Sequence, residues 1–202
     1  PPVSPPPLMS PPPPVSPPPL LVAPLPASPP PAEAPPPTGI RATLLERIAA
    51  REPLLDLDLS GADLRGIDLA GAVLSRVNLK GADLRGAKLA GARLPNAQLA
   101  GVDLSFADLS GADLGAADLA RATLARATLD DAVLTGAILA GARGPGASFA
   151  GALADRASFA RGEWDEARFS RAAAAAADFS AASIAGARFE GATLDNARFD
   201  DA

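Results

Sequence analysis

The stretch from residue 62 to residue 86 reads ADLRG-IDLAG-AVLSR-VNLKG-ADLRG. It repeats every five residues, and leucine always stands at the centre of the block, a position that we call i. The same phase continues without an insertion from Leu54 to Phe199, with leucine at i in every repeat up to Leu139 and phenylalanine in every second repeat from Phe149. From residue 57 onward, position i−2 is alanine except at Leu57, Ile67, Val77, Val102 and Gly162. This regularity predicts a repeat architecture.

The period of five fits neither an α-helix, with a period of about 3.6, nor a β-strand, with a period of two. Each repeat is therefore expected to combine a short extended segment with a turn. Pro95 and Pro145 stand at i+1 and glycine recurs at i+2, which are the second and third positions of a type II turn. Where i+2 is Arg76, Asn96 or Asp131, we expect another turn type.

Residues 62–66 and 82–86 both match the pattern A-(D/N)-L-x-x without exception. On these residues the chain resembles the pentapeptide-repeat family over residues 54–202. The resemblance implies an all-β fold, a right-handed quadrilateral β-helix with four repeats per coil, whose i and i−2 side chains point inward. It also implies about 7.5 coils, which at a strand spacing of about 4.8 Å make a rod about 36 Å long.

Four repeats per coil would stack residues that lie twenty apart, which defines the expected core. Phe159, Phe179 and Phe199 then form one aromatic ladder, and Phe149, Phe169 and Phe189 form a second ladder on the opposite face. Smaller residues on the faces between offset these large rings, as close packing requires. The predicted structural core comprises Leu64, Leu84, Leu104, Phe149, Phe159, Trp164, Phe169, Phe179, Phe189 and Phe199.

Two segments precede the repeats. Residues 39–53 are expected to form a short helix that caps the first coil, with Thr43 and Glu46 as a capping box, Ile40, Leu44 and Ile48 on one face, and Pro53 as its stop. Residues 1–38 contain all but three of the 23 prolines and are expected to form an extended polyproline arm that could reach about 115 Å. The arm is interpreted first as a spacer or linker, and second as a ligand for a proline-binding groove through its P-x-x-P spacings.

The composition restricts the chemistry. The sequence has no Cys, His or Tyr, which excludes thiolate and histidine metal sites, cysteine nucleophiles and Ser-His-Asp triads. Residues 141–146 are glycine-rich, but no Gly-Lys-Ser/Thr follows as a phosphate loop requires. We therefore expect no enzyme, with no catalytic, cofactor-binding or metal-binding residues.

Charge and hydropathy set further expectations. The net charge of −5 disfavours direct binding to nucleic acid, and no apolar run approaches the ~20 residues of a membrane span. Since the sequence begins at Pro1, the N-terminus is expected to be incomplete; the compartment stays open, with a cytoplasmic location favoured.

The expected partner surface is acidic. Asp63, Asp83 and Asp103 would stack on one face about 5 Å apart, so that neighbouring carboxylates repel each other. Phe106 stands at i+2, where the family side chain faces solvent. The residues assigned to this surface are Asp63, Asp83, Asp103, Phe106, Asp108, Asp113 and Asp118.

These features lead to three hypotheses about function. The first is a non-catalytic scaffold that binds a protein partner and is tethered by the proline-rich arm. The second, implied by the family, is a DNA mimic that binds DNA gyrase or topoisomerase IV. Such relatives are strongly acidic and dimerise through a C-terminal helix. Here residues 54–202 contain 15 basic against 20 acidic residues and no such helix is seen, although a dimer stays open. The third is an accessory domain of a bacterial secretion or injection apparatus.

Overall fold

The computed structural model describes residues 39–50, 52 and 54–202. The proline-rich arm assigned to residues 1–38 and the expected helix stop at Pro53 lie outside the described residues. Within the described part, one helix, α1 (Ile40–Ala49), is followed by a repeat solenoid.

Helix α1 begins earlier than its predicted capping box. Gly39 occupies the N-cap position, and its carbonyl accepts hydrogen bonds from the backbone N–H groups of Ala42 and Thr43. Thr43 therefore lies inside the helix, and no side chain caps its N-terminus, so the expected capping box is wrong. Leu44 is buried and Ile48 packs against the core, but Ile40 is 52% exposed.

The solenoid has a coil of twenty residues. Parallel β-bridges join each i−1 residue to the residue twenty positions later, from Asp58 with Asn78 to Asp178 with Arg198. Each extended segment is a single bridge residue, so the described part of the chain contains no longer strand. The coil has four faces, which we number by their first central leucine: face 1 from Leu54, face 2 from Leu59, face 3 from Leu64 and face 4 from Leu69.

Backbone hydrogen bonds tie each coil to the next. The N–H of Leu59, at i, donates to the carbonyl of Asn78 at 2.7 Å, and the N–H of Gly61, at i+2, donates to the carbonyl of Lys80 at 2.9 Å. The N–H of i−1 donates to the preceding coil, and that of i−2 closes the turn. Only the N–H of i+1 finds no backbone acceptor in this pattern.

That remaining N–H explains two features of the sequence. Pro95 and Pro145, which have no N–H, stand at i+1, where none is needed. In many other repeats an aspartate accepts the i+1 N–H: Asp118 Oδ1 accepts from Ala120 of the same repeat at 3.0 Å, and Asp130 Oδ1 accepts from Ala150 of the next coil at 3.1 Å. The recurrent Asp at i−1 thus satisfies the backbone of its own turn.

Every turn has a positive φ at i+2, between 52° and 71°. Arg76, Asn96 and Asp131 have φ values of 58°, 57° and 58°, the same as the glycines at this position. Our expectation of a different turn for these residues was wrong, because the bonds to neighbouring coils fix the turn whatever the residue.

The interior contains the i and i−2 side chains. Rings twenty residues apart are stacked, with centroids 4.7 to 5.0 Å apart, and the two ladders touch edge to face, as for Phe149 and Phe159 at 5.6 Å. Of the predicted core residues, Phe189 and Phe199 in the last coil are partly buried and the rest are buried.

Trp164 accounts for two departures from the repeat pattern. It is buried, and its Nε1 donates to the carbonyl of Phe159 at 3.0 Å. One coil below, a Cβ on Gly144 would lie 2.5 Å from Cζ3 of the indole. A Cβ on Gly162 would collide with its Nε1. The indole therefore takes the volume that leucine at 144 and alanine at 162 would otherwise fill.

Arg41 of α1 contacts the first coil. Its Nη1 donates to the carbonyls of Asp63 at 3.4 Å and Arg65 at 3.1 Å. One coil later, the equivalent carbonyls of Asp83 and Arg85 accept backbone N–H groups from the coil below. The guanidinium group therefore replaces donors that a preceding coil would supply.

We expect Ala176→Gly to stabilise the protein. Ala176 is exposed and has a φ of 55°, a strained conformation for a residue with a Cβ, so glycine should raise the free energy of unfolding by about 1 kcal/mol. Ala173→Gly is the control, since Ala173 is an extended bridge residue and the change should destabilise by about 0.5–1 kcal/mol. Thermal unfolding by circular dichroism measures both, and an equal loss from both changes would contradict this account of the turn.

Gly144→Ala tests the packing of Trp164. The added methyl group overpacks the site, which should lower the free energy of unfolding by about 1–3 kcal/mol. In a Trp164→Leu background the ring is gone, so the same change should be nearly neutral. Urea denaturation of the two single variants and the double variant gives the coupling, and equal costs in both backgrounds would refute it.

Candidate functional surface

The stacked aspartates on face 3 are interleaved with arginines. Arg65 Nη2 lies 2.6 Å from Asp63 Oδ2, and its Nε lies 3.7 Å from Asp83 Oδ2. Arg85 repeats the arrangement, 2.6 Å from Asp83 and 3.8 Å from Asp103. The expected repulsion between stacked carboxylates is thus offset by a guanidinium group beside each step.

These contacts change the titration of the carboxyls. Hydrogen bonds from the Arg65 side chain and backbone lower the pKa of Asp63 to about 2. The Arg85 side chain lowers the pKa of Asp83 in the same way. Face 3 therefore presents alternating charges in its first coils, and its acidity is neutralised locally.

The three other predicted acidic residues, Asp108, Asp113 and Asp118, do not share this face. Asp103 lies on face 3, Asp108 on face 4, Asp113 on face 1 and Asp118 on face 2, so one coil carries a carboxylate on each side. All four accept the backbone N–H of the residue two positions later. The Ser110 hydroxyl also donates to Asp108, and its hydrogen bonds lower the pKa of that carboxyl. The structure thus brings together Asp63, Asp83 and Asp103, and distributes the others around the solenoid.

Phe106 lies at the corner between faces 3 and 4 and is 63% exposed, with a φ of 60°. The two preceding residues at this corner, Gly66 and Gly86, carry no side chain. Asp103 and Asp108 flank the corner on its two faces. An exposed ring therefore stands between two carboxylates above a bare stretch of backbone.

Sequence reasoning missed the basic half of this surface. Arg65 and Arg85 were visible in the repeated triplet Asp-Leu-Arg, which places an arginine two residues after each aspartate on the same side of the turn. Arg41 gave no such signal, because its contact depends on how α1 lies against the first coil.

Among the described residues no cluster of Asp and Glu could hold a metal ion, and no helix is long and apolar enough to cross a membrane. One cavity of about 450 Å³ lies beside α1 and is lined by Ile48, Glu52, Leu54, Ala70, Gly71, Ala72 and Val73. A single carboxylate in an apolar lining offers no acid–base pair.

An ion-paired carboxylate should titrate below its ordinary range. Because Asp63 has a pKa of about 2 instead of 3.8, the stability that its ionised form contributes is present above pH 4 and lost as the pH falls toward 2. Arg65→Gln should return the titration toward 3.8, whereas Arg93→Gln, a change on face 1, should not. Carboxyl ¹³C NMR measures the midpoint, and an unshifted Asp63 in the wild type would disprove the ion pair in solution.

Comparisons with known proteins agree with this architecture. The family profile "Pentapeptide repeats" matches in eight copies, over residues 56–91, 78–115, 112–149 and 165–201. No curated protein sequence matches the chain.

Solved structures include similar solenoids. A trypsin-treated form of QnrB1, a plasmid-mediated fluoroquinolone resistance protein, aligns with a TM-score of 0.56 at 20% identity, over 71% of this chain and 73% of that one. HetL from Nostoc sp. strain PCC 7120, a protein involved in heterocyst differentiation regulation, aligns at 26% identity and a TM-score of 0.41, over 77% of this chain and 92% of its own. The QnrB1 likeness supports the fold alone, and the family profile covers more than half of the chain, which therefore belongs to the pentapeptide-repeat family.

Proposed function

We propose that this protein is a non-catalytic scaffold whose solenoid binds a protein partner through its side. The interior is filled by leucine, alanine and aromatic side chains, and many of the carboxylates satisfy turns or pair with arginines. Extended outer surfaces are the usual binding sites of solenoids. Residues 1–38 would tether the scaffold to another domain.

Phe106 carries this proposal. A large ring with 63% exposure gains little from burial, and its φ of 60° costs about 1–2 kcal/mol relative to glycine. The fold would thus be more stable without this residue. Aromatic side chains of this kind are typical anchors of protein interfaces. Asp103 and Asp108 on either side favour a partner whose apolar pocket has cationic residues at its edge.

The alternative of a DNA mimic that binds gyrase or topoisomerase IV has less support. Mimicry requires a continuous negative surface. In the first coils of face 3 the aspartates alternate with Arg65 and Arg85, and the following coil spreads its carboxylates over four faces. Alternating charge favours a scaffold.

Two glycine substitutions test the scaffold. Phe106→Gly removes the anchor and relieves a positive φ, and Ala116→Gly relieves a positive φ of 52° at a different corner. Both variants should be at least as stable as the wild type. We expect proteins captured from lysate by the wild type and by Ala116→Gly to be depleted about tenfold on Phe106→Gly, as quantified by mass spectrometry.

The same capture on all three baits would contradict the role of Phe106. Purified gyrase and topoisomerase IV are assayed in parallel. Inhibition of either enzyme that persists in Phe106→Gly would replace the scaffold with DNA mimicry.

A further inference from the structure

Face 2 contains a stretch without carboxylates, away from Phe106. Between Asp118 and Asp178, the outward positions of this face inside its corners carry only small or apolar side chains, namely Ala120, Ile138, Ala140, Ser158 and Ala160. Ile138 is 46% exposed and pairs by β-bridges with Asp118 below and Ser158 above. The two aspartates at the ends each accept a backbone N–H of their own turn.

The apolar surface continues around the corner onto face 1. Leu153 is 47% exposed and forms a β-bridge with Val133 in the coil below. The turn that leads from Val133 to Ile138 has Gly136 at its corner, where an added Cβ would meet nothing within 4 Å. In this coil Thr135 is therefore the one outward side chain between Val133 and Ile138, whereas in the next coil Asp155 and Arg156 lie between Leu153 and Ser158. We call Val133, Ile138, Ala140, Leu153, Ser158 and Ala160 the Ile138 surface.

Three exposed arginines border the Ile138 surface. Arg156 lies at the corner between faces 1 and 2, and Arg121 and Arg161 lie at the corner between faces 2 and 3. All three are exposed, and within residues 39–50, 52 and 54–202 their side chains form no hydrogen bond and no ion pair within 4 Å. This contrasts with Arg65 and Arg85. Arg161 does lie near Asp178, whose pKa is lowered by hydrogen bonds from Ser180 and, to a smaller extent, by the charges of Arg198 and Arg161. Asp155, the carboxylate nearest in sequence to Arg156, accepts the N–H of Ala175 at 2.9 Å.

We propose that the Ile138 surface binds an acidic, amphipathic protein segment. Its apolar side chains would cover Ile138 and Leu153, and its carboxylates would pair with Arg121, Arg156 and Arg161. The guanidinium groups suit the carboxylates of such a segment, and the apolar patch beside them suits its apolar side chains. Nucleic acid would use the arginines but leave the two large aliphatic side chains uncovered, and the net charge of −5 opposes it.

The position of this surface extends the scaffold function. The corner between faces 1 and 2 is diagonally opposite the corner between faces 3 and 4, where Phe106 lies. A solenoid with both surfaces could hold two partners at once without a clash between them.

A peptide selection on the full chain tests the proposal. A random peptide library displayed on phage is selected against the wild type at low salt, and enriched peptides are synthesised and titrated by fluorescence polarisation. We expect them to be net acidic with alternating apolar groups. Affinity should fall about tenfold in Ile138→Ser/Leu153→Ser and again in Arg121→Gln/Arg156→Gln/Arg161→Gln, and it should weaken as salt rises.

Matched controls separate this surface from the Phe106 surface. Phe106→Ser removes an exposed apolar side chain from the opposite corner and should leave the peptide affinities unchanged. All substituted side chains are exposed, so circular dichroism should show unfolding temperatures within a few degrees of the wild type. Should a double or triple variant unfold, Arg156→Glu alone serves as the test and should weaken the acidic peptides by about tenfold.

Three results would overturn the proposal. The first is a library that yields no binder, or only basic or uncharged peptides. The second is peptide binding that Ile138→Ser/Leu153→Ser leaves intact. The third is a DNA or RNA oligonucleotide whose binding needs the three arginines but not Ile138 and Leu153, which would assign the surface to nucleic acid.

Discussion

The structure depends on the hydrogen-bond register between coils. Each coil donates from i and i+2 to residues nineteen positions later in the coil above, and from i−1 to residues twenty-one positions earlier in the coil below. With this register, every turn of the solenoid has a residue with a positive φ at i+2. Sixteen turns accept that conformation without a glycine, so the cooperative bonding between coils outweighs the local cost.

The repeat part of the fold could be predicted from the sequence, whereas its ends and exceptions could not. The phase of Leu and Ala identifies the interior, and the twenty-residue stacking of phenylalanines agrees with the observed ladders. The pattern does not reveal that Gly144 and Gly162 are both set by Trp164, since that relation needs the position of one ring in three dimensions. The start of α1 agrees with the sequence, but its capping was misjudged because Gly39 caps the helix through its backbone.

The candidate surface was less predictable because charge depends on neighbours that are distant in sequence. Aspartates at i−1 can be read as an acidic stripe, yet hydrogen bonds show that they satisfy the free N–H of the turn. Whether such a carboxylate is also neutralised depends on the residue beside it and on the next coil, as for Asp83 between Arg65 and Arg85. The composition gives the number of charged residues, whereas the stacking of successive coils determines which charged side chains lie close together.

The backbone and the interior repeat every five residues, whereas residues on the same face recur every twenty. The pattern that stabilises the fold therefore differs from the pattern that places contact residues on the surface. A deletion of five residues between Phe106 and Ile138 would leave every leucine and alanine in the interior. All later repeats would, however, move by one face, which is a quarter of a coil. Phe106 and Ile138 would then change their relative angle about the axis although neither was substituted. A solenoid of this kind can thus acquire new arrangements of the same contact residues by the insertion or deletion of single repeats, without a substitution in any of those residues.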